Sequence, residues 1–445
     1  MSNFSLILKN CNLVNEDSIV PVDIGIKGDR IEKIASNIST ESNKTIDLEG
    51  KYVAPGIIDD QFHFRDPGLT EKGDIRSESL AAVFSGVTST FDMPNVDPNT
   101  TTIDLLRERN LLGANKSWTN YSYYFGATET NLEEIKKLNP KETCGLKVFM
   151  GTSTGTLLVE DDFALEQIFQ FCPVTIVTHC EDNETIKNNS DNVNSQNQTL
   201  DASFHPIIRD DVCCYKSSSK VIDLAKKYSS DLHVLHLTTE KEIKLFENID
   251  LKSKKITCEV CVHHLWFDES DYEKLGNFIV CNPAIKKVSD RNALRKALKD
   301  GFIDYVATDH APHSYDDKKL PYGKAPAGIP LIEHSFHMMI ELHKQGYYSL
   351  EEVISYMSHK VADRFSIQDR GYVREGYKAD LMMFDLDKTT PVTNETEKTK
   401  CGWTPFDGHT FSSAILGTII NGKSIVEDGK LTGDSSSAEQ ILFDR

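Results

Sequence analysis

The sequence predicts an α/β chain: a (β/α)8 TIM-like barrel with a small β domain formed by both termini. Three observations carry this. Between residues 55 and 369, eight short apolar runs alternate with longer amphipathic segments. Residues 1–54 and 370–445 read instead as short strands separated by turn formers. Polar, chemistry-bearing side chains recur at the C-terminal ends of the apolar runs, where a barrel builds its sites. A doubly wound sheet is the structural alternative, but neither a Gly-x-Gly-x-x-Gly nor a phosphate-loop motif supports it.

Taken in order, the first small-domain strands are expected within Asn12 to Val20 and Asp23 to Ile34. The barrel runs follow as Gly56 to Phe64, Val87 to Met93, Tyr121 to Ala127, Gly145 to Met150, Val174 to His179, Asp231 to Leu237, Ile256 to His264 and Asp304 to His310. Between them, segments such as Ile222 to Tyr228 and Arg291 to Lys299 have helical periodicity. Strands return at Ala379 to Asp385 and Gly417 to Gly429, the latter turning at Asn421-Gly422. Leu386 to Lys400, rich in Thr, Lys and Asn, reads as a loop, and so does His205 to Arg209.

The chain has 445 residues, 49 Lys plus Arg against 68 Asp plus Glu, and a formal net charge of −19. Such a field repels phosphate backbones, which excludes nucleic-acid binding as the main activity; an anionic small substrate then needs a local cationic pocket. No apolar run is long enough to span a bilayer, and Met1 to Asn10 lack the features of a signal peptide. Ten scattered Cys in so long a chain read as reduced thiols in a cytoplasm.

Reading each barrel run to its C-terminal end gives His63, Asn95, Lys147, His179, His236 and Asp309. Burying such groups is costly unless they bind something. Taken singly, each His weighs equally as a hydrogen-bonded core residue and as a metal ligand; together the imidazoles suit zinc. His233 is three residues from His236 along a strand and faces the other way, so it reads as structural. Lys147 lies in an internal apolar strand. Burial pushes a lysine toward the neutral amine, which takes up carbon dioxide as a carbamate with two oxygens able to bridge metals. Asp309 is either a turn former or a carboxylate that binds metal and shuttles a proton. Cys258-Glu-Val-Cys261 lacks the second pair of a zinc knuckle, so its thiols read as structural. His263-His264 read as structural or supporting residues. The absence of Gly-x-Ser-x-Gly leaves a serine nucleophile without support.

Together these motifs resemble the metal-dependent cyclic amidohydrolases, and within them the dihydroorotases, over nearly the whole chain. The family pattern Asp-x-His-x-His-Phe-Arg-(Glu/Asp)-Pro-Gly reads here Asp59-Asp60-Gln61-Phe62-His63-Phe64-Arg65-Asp66-Pro67-Gly68. Met93-Pro94-Asn95, Gly145-Leu146-Lys147, Thr178-His179, His236-Leu237, Cys281-Asn282-Pro283 and Thr308-Asp309-His310-Ala311-Pro312-His313 follow in family order. The resemblance implies that His63, carboxylated Lys147, His179, His236 and Asp309 hold one or two zinc ions. It further implies that Arg65, Asn95 and His313 grip a substrate carboxylate, that Asn282 contacts the pyrimidine ring, and that Ala327-Gly328 line it. Asp309 would be the catalytic proton carrier in reversible hydrolysis of L-dihydroorotate to N-carbamoyl-L-aspartate, a step of de novo pyrimidine biosynthesis.

Three positions depart from the family pattern. Gln61 stands where the first His of the pair is expected; its amide oxygen is neutral and harder than imidazole. Lys286 stands where relatives often carry Arg, and Ala327 where they carry Phe. Three readings follow. One is a dihydroorotase, cytoplasmic and homo-oligomeric. Another is a hydantoinase, dihydropyrimidinase or allantoinase, whose substrates lack the ring carboxylate. The last is an inactive dihydroorotase-like scaffold associated with another enzyme of pyrimidine synthesis, which Gln61 supports.

Overall fold

The computed structural model describes residues 4–151, 157–196 and 199–445. Its centre is a closed ring of eight parallel strands, here numbered around the ring: β1 (Ile57–Phe62), β2 (Val87–Asp92), β3 (Asn120–Tyr123, continued by Phe125–Gly126), β4 (Leu146–Phe149), β5 (Ile176–His179), β6 (Leu232–Val234), β7 (Ile256–Cys261) and β8 (Tyr305–Ala307). Adjacent strands pair in parallel from β1 to β3 and from β4 to β8. The ring closes between β8 and β1, where Phe62 bridges His310 and the His63 amide donates to the His310 carbonyl at 3.0 Å. This is the (β/α)8 barrel the alternating runs predict.

The strands are buried along their whole length, which is why they read as continuous apolar runs and not as alternating ones. Several of the helices between them start on side-chain caps. Asp74 accepts from the Ser77 amide, Asp161 from Ala164 and Asp210 from Cys213, each satisfying an amide the first helical turn leaves over. Leu146, Val148, Ile176, Leu232 and Val260 join helix residues such as Ile168, Val221 and Leu298 in one large apolar core.

A nine-stranded sheet packs beside the barrel. Its first part is Leu6–Asn15, Ser18–Lys27 and Arg30–Ala35, and its second Leu381–Asp385, Ala414–Ile420 and Lys423–Glu427. The two parts join where Tyr52–Pro55 pairs antiparallel with Leu381–Asp385. The stretch Asn12–Val20, expected to hold strand residues around turn formers, is a hairpin that turns at Glu16-Asp17, both with positive φ (49° and 61°). Two consecutive left-handed residues suit the twist of a two-residue hairpin, and here Glu and Asp adopt them in place of the usual Asn-Gly. At the other end Asn421-Gly422 makes the same kind of turn (φ 47° and 76°) between Ala414–Ile420 and Lys423–Glu427.

Leu386 to Lys400 is mostly loop, with a short strand at Thr390–Pro391 and a single 3-10 turn at Asn394–Thr396. His205 to Arg209 is not a loop: His205–Ile208 form one α-helical turn. Pro206 sits at its start, where a missing amide costs nothing. Among the described residues, no helix is long and apolar enough to cross a membrane.

Candidate active site

One cavity at the C-terminal end of the barrel is lined by Gln61, His63, Arg65, Asn95, Lys147, Phe149, His179, His236, Asn282, Asp309, Ala311, Ala327 and Gly328. Every residue the motifs single out for metal or substrate lies on it except His313, which sits directly behind Arg65. The reason is topological: parallel strands deliver their last residues to one face. Arg65, His236 and Asp309 reach it with left-handed backbones (φ 65°, 40° and 47°), a conformation non-glycine residues hold only when the surroundings enforce it.

Two pairs of donors meet here. His63 Nε2 lies 3.1 Å from Asp309 Oδ1, and His179 Nδ1 lies 3.0 Å from His236 Nε2. Burial pulls His63 down to about 4 and His236 well below the ordinary imidazole range, so both rings are neutral at pH 7. Burial would raise the Asp309 carboxyl, but its hydrogen bond to His63 and nearby charge hold it below the ordinary value, so it is ionised. Burial brings Lys147 down to about 8, against the pull of Asp309 and Glu259. Three neutral imidazoles, one carboxylate and a readily neutralised lysine form a donor set that fits a zinc-class ion.

Two residues that single motifs did not expose, Glu181 and Lys318, complete the surroundings. Glu181 Oε2 lies 2.9 Å from His179 Nε2 and pairs with Arg209. With the ring proton held on Nε2, the Nδ1 lone pair of His179 is left to the cavity side. Burial raises the Glu181 carboxyl, but Arg209 and His179 outweigh it and hold it at about 2. Lys318 is fully buried and donates to the carbonyls of Val280 (3.2 Å), Pro326 (2.9 Å) and Gly328 (2.9 Å), tying down the segment that carries Ala327 and Gly328. At Gly328 itself (φ 144°) a Cβ would meet the Ala311 carbonyl at 2.5 Å and the His313 ring at 2.8 Å, so only glycine fits.

The substrate-binding candidates divide by partner. Arg65 is 2% exposed; its Nη2 donates to His313 Nε2 at 3.3 Å and its Nε to the Pro312 carbonyl at 3.4 Å. Burial lowers it to about 10, so it stays cationic. Among the described residues, no carboxylate reaches ion-pairing distance of Arg65. Asn282 Oδ1 accepts from His205 Nε2 at 3.1 Å, which also sits 2.9 Å from the Cys281 carbonyl. Lys286 does not line the cavity; it donates to Thr238 and to the Ala284 carbonyl. Gln61 Oε1 accepts from Cys261 Sγ at 3.5 Å, and Phe62 beside it packs on Phe64 and the His310 ring.

Comparison with known proteins yields three findings. The model of the amidohydrolase family matches residues 52–425. A dihydroorotase of Methanothermobacter thermautotrophicus is 29% identical over 431 residues, 96% of this chain and 95% of its own; an L-hydantoinase of Paenarthrobacter aurescens is 29% identical over 449 residues, 96% of each chain. Among solved structures, the L-hydantoinase (dihydropyrimidinase) from Arthrobacter aurescens superposes with a TM-score of 0.93 at 26% identity, covering 99% of this chain and 100% of that one.

Proposed function

From the premise that this chain belongs to the amidohydrolase family and is a hydrolase acting on a cyclic amide, we propose that its substrate is L-dihydroorotate, opened reversibly to N-carbamoyl-L-aspartate in pyrimidine synthesis. The observation that carries this is Arg65. A buried guanidinium without a carboxylate partner is costly. The ring carboxylate of dihydroorotate would supply the missing anion, with Arg65 as a two-pronged donor. His313, accepting from Nη2, fixes the direction of the fork. Asn95 lines the same side of the cavity.

His63, Lys147 as its carbamate, His179, His236 and Asp309 would hold one or two zinc ions. Such an ion supplies Lewis acidity toward the scissile carbonyl and lowers the pKa of water. The chain does the rest. Arg65 and Asn282 hold the ring so that its amide carbonyl faces Asp309. As water adds to the carbonyl carbon, Asp309 Oδ takes its proton. The same oxygen returns that proton to the ring nitrogen as the C–N bond breaks, leaving a ureido group and a carboxylic acid that loses its remaining proton to water at neutral pH. In the direction of synthesis, Asp309 protonates the departing hydroxyl. Asp309 is suited to both because His63 holds it ionised in a buried place.

A second reading, hydantoinase-type hydrolysis of a ring without a carboxylate, is favoured by the L-hydantoinase relative and fold neighbour. Parallel turnover assays with L-dihydroorotate, dihydrouracil and hydantoin separate the two. Turnover of dihydroorotate alone supports the proposal; turnover only of the neutral rings overturns it.

A further inference from the structure

We propose that Cys261, His263 and His264 form a second cation site, distinct from the cavity donors, that takes a zinc-class divalent ion through one thiolate and two imidazoles. Cys261 ends β7, and the short helix Val262–Trp266 that follows carries both histidines. One donor atom from each of the three lies within 4.8 Å of the other two. All three are buried, at 0%, 1% and 3% exposure.

The imidazoles are unspent. His264 Nε2 lies 3.1 Å from the Pro283 carbonyl and donates to it, so Nδ1 carries a lone pair, and that atom has no hydrogen-bond partner. One His263 ring nitrogen faces the Thr308 backbone, and the ring's other nitrogen has a lone pair that no side chain or backbone group meets. Buried polar atoms of this kind are ordinarily satisfied, and a cation satisfies lone pairs that no protein donor reaches. Burial, and after it the field of Asp309, Glu259 and Asp59, opposes a bare thiolate at Cys261 but not a thiolate neutralised by a cation. Thiolate and imidazole are the donors structural zinc prefers.

The other buried donor groups are already neutralised. Glu181, Cys213 and Cys214 face Arg209 and the Lys286 ammonium, 3.6 Å from Cys214 Sγ. In the third group His233 Nε2 lies 3.2 Å from Glu259 Oε2 and 2.9 Å from the Tyr305 hydroxyl, which donates to Asp60, so its one imidazole is already used between the two carboxyl groups. Gln61 links the proposed site to the cavity, since its Oε1 meets Cys261 Sγ while the residue also lines the catalytic space. That oxygen is placed to serve as the fourth donor once the thiol has lost its proton.

Cobalt(II) tests this because only a thiolate gives an intense near-ultraviolet charge-transfer band, and the cavity donors hold no sulfur. The full chain loaded with Co2+ is expected to show the band. Cys261→Ser should remove it, with a loss of about one ion per chain, whereas Cys213→Ser should leave both. His179→Asn, which cuts into the cavity donor set, should keep the band. A wild-type chain without the band, a band that survives Cys261→Ser, or one lost in His179→Asn overturns the proposal. Should Cys261→Ser fail to fold, His264→Gln carries the test: a lost or shifted band supports the site, and an unchanged spectrum overturns it.

Discussion

Glu181 Oε2 sits 2.9 Å from Nε2 of His179, on the side of the ring away from His236. The carboxylate therefore chooses the tautomer of His179, the ring proposed above as a metal ligand. Neutralising it as Glu181→Gln removes the charge that holds the ring proton, and takes the carboxylate away from Arg209. The expected outcome is a metal affinity lower by about 10- to 100-fold. Chelator-competition titration checks it; an unchanged affinity would refute the orienting role.

Asp309→Asn keeps the shape of the side chain and removes its basicity. Turnover should fall by about 10²- to 10⁴-fold, the span of a lost general acid-base group, or more where metal is lost with it. Calorimetric titration should still show dihydroorotate binding, because Arg65 and Asn282 are untouched. Retained turnover would remove Asp309 from the proton path.

How far these roles could be read beforehand differs by residue type. Runs such as Val87 to Met93 and Val174 to His179 announce barrel strands because burial on both faces leaves no polar alternation, and a His or Asp at the end of such a run stands out. Glu181 lies just past that signal, two residues beyond His179, and its partner Arg209 comes from a distant helix. Lys318 lies in a stretch as charged as any surface, Tyr315-Asp-Asp-Lys-Lys, and only the fold shows which lysine turns inward. The turn formers within Asn12 to Val20 do mark a turn, but which two residues take positive φ is fixed only by the pairing of Asn15 with Ser18.

Arg65→Met separates the two substrate readings within one protein. If the guanidinium meets a substrate carboxylate, the KM for dihydroorotate should rise by roughly 30-fold or more, as for a truncated buried charge pair worth about 2–5 kcal/mol. Any turnover of dihydrouracil should change little, and the ratio of kcat/KM values for the two rings reads the difference. Parallel loss on both would make Arg65 a structural residue.

Lys318→Met takes the donor from the Pro326 and Gly328 carbonyls, while the Val280 carbonyl keeps the Gly328 amide at 2.9 Å. The expected loss of stability is about 3 kcal/mol or more, read from urea unfolding at fixed metal loading. Because the same carbonyls fix the Ala327-Gly328 segment, the KM for dihydroorotate should rise while kcat falls less. A stability loss with unchanged KM would separate the lysine from the substrate wall.

Outside the cavity lining, Glu333 and Glu397 make a stability prediction that depends on pH. Burial pushes Glu333 up from 4.5 to about 8, with Glu397 adding to the rise, even though Glu333 Oε1 accepts from the Lys398 and Thr399 amides. Burial likewise lifts Glu397 to about 7, and the two titrate as a pair. The folded chain thus binds these protons more tightly than the unfolded chain. Their contribution is full below about pH 4.5 and is lost as pH rises through 7 to 8. Tm should fall over that window, and Glu333→Gln, which cannot ionise, should flatten the fall. A Tm profile identical in wild type and Glu333→Gln would show that this carboxyl is already ionised in the folded chain at low pH.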